Sequence, residues 1–176
     1  MNQISNVLTF IRLMLVPLFP AAFFSSHPQG RLIALGIFVV AGFTDFLDGY
    51  IARRFHMISP LGTVLDPLAD KLMLLMVLVT LCINGTLPLW IVLILFIKET
   101  FMIAAGSYLY FKKGKFVIPS NYFGKAATAL LFLAIPLRIL IPDNPTGLVL
   151  IAAALMLMLA ALVTYTQFYW RRREHL

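Results

Sequence analysis

Residues 147–169 have the sequence GLVLIAAALMLMLAALVTYTQFY and contain no charged side chain. A stretch of this length can cross the hydrocarbon core of a bilayer as one α helix, which takes about 20 residues. Other apolar stretches of similar length precede it in the chain. They are residues 5–25, 31–52, 64–83, 87–110 and 121–141. The pattern predicts an all-α membrane protein with six transmembrane helices.

The composition agrees with lipid as the surrounding solvent. The chain has 176 residues, of which 61% are hydrophobic and only 12% are charged, whereas soluble domains carry about 25% charged residues. A soluble core of this size could not bury so much apolar surface. The breaks between the apolar stretches are short and rich in turn-forming residues. Without a long linker or a low-complexity segment, residues 1–176 are predicted to form a single domain.

Two features of the sequence argue against a cleaved signal peptide and against cysteine-based sites. The first apolar stretch lacks a basic segment before it and a cleavage site after it, so it is predicted to be a retained helix rather than a signal peptide. Cys82 is the one cysteine in the chain. An internal disulfide and a cysteine-cluster metal site are therefore excluded.

The net charge of +7 is distributed in a way that predicts membrane topology. With six spans, every basic cluster falls on the same side of the membrane. The clusters are Arg53, Arg54 and Lys71 after span two, Lys112, Lys113, Lys115 and Lys125 after span four, and Arg171–Arg173 in the tail. The positive-inside rule makes that side, with both termini, cytoplasmic. Such residues indicate contacts with anionic membrane lipids rather than with nucleic acid.

Four of the seven acidic residues fall in one short window across the end of span two and the start of span three. They are Asp45, Asp48, Asp66 and Asp70. Asp45 and Asp48 are spaced i, i+3, and Asp66 and Asp70 are spaced i, i+4, so each pair shares one helix face. Carboxylates at membrane depth need a compensating cation. Hard oxygen ligands suit Mg²⁺, Mn²⁺ or Ca²⁺ rather than zinc, so we expect a divalent-metal site.

Small residues and one arginine lie between the two aspartate pairs. Gly49 and Ala52 would let a flat ligand or a neighbouring helix approach span two closely, and Gly62 follows before span three. Arg53 is positioned for an anionic phosphate. Together with bound metal, these residues could hold a pyrophosphate. A simple ion pair between Asp48 and Arg53, or a helix-packing face of small residues, would explain either feature alone. The combination favours a binding site.

The whole window, Asp45-x2-Asp48-Gly49-x2-Ala52-Arg53-x8-Gly62-x3-Asp66-x3-Asp70, resembles the signature of the CDP-alcohol phosphatidyltransferase family at every fixed position. The resemblance extends to the six-span architecture and so covers the chain. It implies an enzyme that transfers a phosphatidyl group from CDP-diacylglycerol to an alcohol and releases CMP.

The resemblance also implies roles for these residues. The first three aspartates would bind two metal ions, Mg²⁺ or Mn²⁺, with the fourth, Asp70, also at the site and acting as general base on the acceptor hydroxyl. Residues Gly49, Ala52 and Arg53, with Gly62, would bind the CDP-lipid. The site would open towards the cytoplasm, because CDP and CMP are water-soluble, and the short chain suggests a bacterial plasma membrane.

The acceptor alcohol is predicted from weaker signals. Asn6 to Arg12 and Asp66 to Lys71 resemble segments of bacterial phosphatidylglycerophosphate synthases and of the related cardiolipin synthases. Glycerol 3-phosphate is therefore the expected acceptor, and phosphatidylglycerol, which would give cardiolipin, is the alternative. Ala127 and Leu131 depart from the first group, where a lysine and a glutamine are usual.

Lys98 and Lys125 are candidates for binding the acceptor's phosphate. Lys98 could equally pair with a neighbouring carboxylate such as Glu99. Two other possibilities stay open at this point. A small cation transporter could use the four aspartates as its ion site, although Arg53 beside them would repel a cation. The alanines of span six would suit a homodimer, and ordinary packing explains them as well.

Overall fold

The computed structural model describes the backbone at residues 3–55, 62–113 and 121–173. It describes side chains at residues 9–45, 68–102 and 121–164, together with Val7 and Ala104. The described backbone consists of six α helices and their connecting turns. The helices are α1 (Gln3–Phe23), α2 (Gly30–Phe55), α3 (Gly62–Ile83), α4 (Leu89–Lys113), α5 (Tyr122–Leu140) and α6 (Pro145–Arg173).

The helices confirm the all-α prediction, and each coincides with one predicted apolar stretch. Within the described residues, two segments are long and apolar enough to cross a membrane, Tyr122–Leu140 of α5 and Pro145–Thr164 of α6. Thr9–Phe23 of α1 is apolar but shorter. The chain divides into two compact units, Met1–Gly85 and Thr86–Leu176, and the single domain stays a prediction.

In the first unit, α1 packs against both α2 and α3, and α2 also touches α3. One stripe of α1, repeating every three or four residues, is buried. It consists of Thr9, Arg12, Val16, Phe19 and Phe23. On α2 the buried stripe is Ala34, Phe38 and Ala41, and Asp45 follows it one turn later on the same face. Helix α1 thus packs against both of the helices that carry the four aspartates.

Two glycines shape the turns of this unit. A Cβ atom at Gly30 would lie 2.7 Å from the backbone oxygen of Ala22 and 2.6 Å from Oγ of Ser25, so the start of α2 can approach the end of α1 only without a side chain there. Gly85 has a φ of 75°. This left-handed conformation, which glycine adopts without strain, ends α3.

In the second unit, α5 and α6 form an antiparallel pair, and α6 also contacts α4. The side chain of Asn121 caps α5 by accepting a hydrogen bond from the backbone nitrogen of Phe123 at 3.0 Å, and it donates to Oγ1 of Thr164 on α6. Ala154 and Ala161 of α6 are buried within the protomer. Internal packing accounts for these two alanines, and the homodimer stays a prediction.

Arg138 joins three segments at the other end of α5. Its Nε and Nη2 atoms donate to the backbone oxygen of Thr86, and Nη1 donates to the backbone oxygens of Pro142 and Asn144. All three guanidinium nitrogens therefore donate hydrogen bonds to backbone carbonyl oxygens. This clasp fixes the turn between α5 and α6 to the segment that precedes α4.

Candidate functional site

The structure describes the side chains of two of the four aspartates. Asp45 lies in α2 with 46% of its side chain exposed. Asp70 lies in α3 and is exposed, directly after the fully buried Ala69. Both carboxylates are therefore reachable from outside the packed helices.

The remaining members of the window lie in helices, but their side chains are outside the described residues. Asp48, Gly49, Ala52 and Arg53 belong to α2, whereas Gly62 and Asp66 belong to α3. Among the side chains that are described, no three aspartate, glutamate, histidine or cysteine residues cluster closely enough to hold a metal ion. The four-carboxylate site thus stays a prediction.

Arg12 lies beside the candidate site, although the motif from Asp45 to Asp70 does not include it. Its Nη1 atom lies 2.8 Å from Oδ1 of Asp45, and its side chain is 1% exposed. The N–H bonds of Nη1 do not point along this line, so the contact is an ion pair and not an aligned hydrogen bond. A charged residue inside the first apolar stretch, one turn after Thr9, was the signal that could have identified it.

The two lysines predicted to bind the acceptor have different surroundings. Lys98 of α4 is 12% exposed, and its Nζ atom donates to Oε1 of Glu99 at 2.6 Å. The Glu99 side chain is 1% exposed. Lys125 lies in the first turn of α5 and is exposed. Lys98 therefore neutralises a buried carboxylate, and acceptor binding by either lysine stays a prediction.

The donor set that is visible suits a hard cation. Asp45 and Asp70 offer carboxylate oxygens, which are the ligands that hard divalent cations prefer. Asp45 uses Oδ1 on Arg12 and keeps almost half of its side chain accessible. A divalent ion bound by oxygen ligands is compatible with this arrangement.

Comparison with known proteins identifies the chemistry. A family model described as CDP-alcohol phosphatidyltransferase matches residues 2–166. The chain belongs to the CDP-alcohol phosphatidyltransferase family. It is therefore an enzyme, a transferase of phospholipid biosynthesis. Members of the family generally use divalent metal ions together with a CDP-alcohol donor and an alcohol acceptor. Family membership favours an enzyme over the cation transporter.

Similar proteins carry the names of two kinds of phospholipid synthase. A "Probable phosphatidylglycerophosphate synthase" of Mycobacterium tuberculosis is 33% identical over 93% of this chain and 79% of its own length. The "CDP-diacylglycerol--glycerol-3-phosphate 3-phosphatidyltransferase 2" of Arabidopsis thaliana is 33% identical over 94% of this chain and 79% of its own. A "Cardiolipin synthase (CMP-forming)" of Streptomyces coelicolor is 39% identical over 78% of this chain and 65% of its own.

Proposed function

We propose that this phosphatidyltransferase transfers the phosphatidyl group of CDP-diacylglycerol to glycerol 3-phosphate, giving phosphatidylglycerophosphate and CMP. The observation that supports this choice is the share of the chain that each relative matches. The two relatives named for glycerophosphate chemistry match 93% and 94% of the chain, whereas the relative named as a cardiolipin synthase matches 78%.

A specific observation supports cardiolipin synthesis as the second candidate. Ala127 and Leu131 stand where phosphatidylglycerophosphate synthases usually have a lysine and a glutamine, and they are 0% and 2% exposed. The buried face of α5 thus lacks a cation and an amide that could bind an acceptor's phosphate. The higher identity to the cardiolipin synthase, 39%, points the same way.

The proposed metal site consists of Asp45, Asp48, Asp66 and Asp70. Helical spacing places each pair on one face of its own helix, and α1 packs against both helices. Two bound Mg²⁺ or Mn²⁺ ions would neutralise the pyrophosphate and the departing CMP. Asp70, which is exposed, is the carboxylate we assign to take the proton from the acceptor hydroxyl as its oxygen attacks phosphorus.

The substrate-binding residues in this proposal come from sequence. Gly49, Ala52, Arg53 and Gly62 would bind the CDP-lipid. Lys98 and Lys125 are the candidates for the acceptor. The paired position of Lys98 beside Glu99 makes Lys125, which is exposed, the better placed of the two to meet a soluble anion.

The proposed setting is a bacterial plasma membrane crossed six times, with both termini and the active site on the cytoplasmic side. Beyond α5 and α6, the outward faces of other helices are apolar as well. Phe10 on α1, Phe43 on α2 and Ile97 on α4 are 61%, 60% and 65% exposed. Large apolar side chains exposed on each of these helices are ordinary where lipid covers them.

An acceptor assay separates the two candidate functions. The purified protein in lipid nanodiscs would be given CDP-diacylglycerol and Mn²⁺ with glycerol 3-phosphate, with phosphatidylglycerol, or with neither. We expect CMP release and a phosphatidylglycerophosphate product only with glycerol 3-phosphate. CMP release and cardiolipin formation with phosphatidylglycerol alone would replace the first choice by the second.

Reporter fusions test the topology independently of activity. An alkaline phosphatase fused after Lys113 or Arg173 should be inactive in cells, because both positions are proposed to be cytoplasmic. The same reporter inserted after Asn84 or Asp143 should be active. Activity at Arg173 would contradict six crossings with a cytoplasmic carboxyl terminus.

A further inference from the structure

Arg12 is buried in a way that calls for more partners than the described residues provide. It is 1% exposed and is among the largest fully buried side chains. A guanidinium group carries five N–H donors. Removing it from water is unfavourable unless those donors find acceptors.

The contacts of Arg12 leave most of its donors unused. Asp45 contributes a single close oxygen, Oδ1, at 2.8 Å from Nη1. Within the part of the chain that the structure describes, Nε, Nη1 and Nη2 of Arg12 make no aligned hydrogen bond. The ion pair compensates the charge in part, but it does not satisfy the planar fork of donors.

Arg138 shows how this chain satisfies an arginine that has a structural role. All three of its nitrogens donate to the backbone oxygens of Thr86, Pro142 and Asn144. Among the described residues, Arg12 has no such set of carbonyls. The contrast indicates that the donors of Arg12 serve a ligand and not the fold.

The position of Arg12 limits the chemistry of that ligand. The donors are cationic, so they favour an anion, and their planar geometry matches two oxygens of a phosphate. The neighbouring carboxylate, Asp45, belongs to the proposed metal site. The substrates of the enzyme bring phosphate groups to that site.

We propose that Arg12 binds a phosphate group of the substrate with the donors that Asp45 leaves unused, while its ion pair keeps the Asp45 carboxylate in place. The proposal rests on the proposed function for the location of the metal site. The phosphate could come from the pyrophosphate of the CDP-lipid or from glycerol 3-phosphate. The two sources share the same chemistry, and binding experiments distinguish them.

The test compares Arg12→Lys and Arg12→Gln with Arg138→Lys as the matched control. Each purified variant would be titrated with CDP and, separately, with glycerol 3-phosphate, both in the presence of Mn²⁺. The readouts are the rise in the thermal unfolding midpoint that each ligand causes and the KM of each substrate. Losing a charged hydrogen-bond pair should weaken binding by about tenfold or more.

We expect Arg12→Lys to keep an unfolding midpoint near that of the wild-type protein, to lose most of the stabilisation by one ligand, and to raise the matching KM. Loss of the CDP response assigns the phosphate to the donor, and loss of the glycerol 3-phosphate response assigns it to the acceptor. Arg138→Lys should lower the midpoint and leave both ligand responses unchanged.

Undiminished responses to both ligands in both Arg12 variants would overturn the proposal and leave Arg12 a structural partner of Asp45. If neither variant can be purified, a crystal structure of the wild-type protein with CDP, glycerol 3-phosphate and Mn²⁺ decides. A phosphate oxygen within hydrogen-bonding distance of Arg12 supports the proposal, and its absence overturns it. Wild-type use of phosphatidylglycerol instead of glycerol 3-phosphate would overturn the proposed acceptor alone, because the CDP arm still tests Arg12.

Discussion

Lys98 and Glu99 are neighbours in the sequence, and the Nζ atom of Lys98 lies 2.6 Å from Oε1 of Glu99 within α4. Both side chains are largely buried, at 12% and 1% exposure. Breaking a buried ion pair by removing one partner leaves the other charge poorly compensated. The pair therefore constrains how either residue can be used in catalysis.

We predict that Lys98→Met and Glu99→Gln each lower the stability by about 3–5 kcal/mol. The double variant should lose clearly less than the sum, because it leaves no uncompensated charge. Denaturant titration of the protein in detergent measures this coupling. If Lys98→Met instead keeps the stability and raises only the KM for glycerol 3-phosphate, Lys98 is an acceptor-binding residue and the ion pair is incidental.

Arg138 should be more important for stability than for turnover. Replacing it with lysine keeps the charge but puts a single ammonium nitrogen in place of the three nitrogens that hold the oxygens of Thr86, Pro142 and Asn144. Loss of charge-assisted hydrogen bonds at this clasp should cost about 2–4 kcal/mol. Thermal unfolding of Arg138→Lys would show it, and a KM that rises with no loss of stability would contradict the assignment.

Gly30 is predicted to be intolerant of any side chain. In Gly30→Ala, the new Cβ would lie 2.7 Å from the backbone oxygen of Ala22, so the contact between α1 and α2 must open, at about 1–3 kcal/mol. Gly36→Ala is the matched control in the same helix, because a Cβ there meets nothing within 4 Å. That variant should gain up to about 1 kcal/mol from helix propensity. Equal unfolding midpoints for the two variants would contradict this reading of the turn.

Substitutions of Asp70 and of Asp45 should have different effects, the first on kcat and the second on metal binding. We expect Asp70→Asn to lower kcat by about 10²–10⁴ while Mn²⁺ and CDP still stabilise the protein together. Asp45→Asn should lose most of the stabilisation by Mn²⁺. Asp143→Asn, in the exposed turn before α6, is the control and should behave like the wild-type protein. An Asp70→Asn variant with normal kcat would exclude Asp70 as the general base.

The helices could be predicted from the sequence because the relevant signals are local. Apolar stretches of bilayer length and turn-forming residues such as Asn84 and Gly85 determine where a helix starts and stops. The predicted stretch 64–83 and the observed α3, Gly62–Ile83, differ by two residues at one end. The spacing of Asp45 from Asp48 in α2, and of Asp66 from Asp70 in α3, is local in the same sense.

The contacts between helices could not be predicted in this way. The pairing of Arg12 with Asp45 depends on how α1 packs against α2, and apolar content does not specify which faces meet. The acceptors of Arg138 are backbone oxygens, and one of them belongs to Thr86, far away in the sequence. Backbone oxygens carry no side-chain signal. The sequence left two roles open for Lys98, which were binding the acceptor's phosphate and pairing with a carboxylate such as Glu99. The side-chain rotamer decides between them, and residue spacing does not specify a rotamer.

Metal-dependent release of CMP shows whether the proposed aspartate site binds the metal ions that the reaction needs. The wild-type protein, stripped with a chelator, would be assayed with CDP-diacylglycerol and glycerol 3-phosphate while Mg²⁺ or Mn²⁺ is added back. We expect no release without metal, restored release with either ion, and no restoration in Asp45→Asn at the same ion concentrations. Equal rates in stripped and metal-loaded samples, or full restoration of Asp45→Asn, would contradict it.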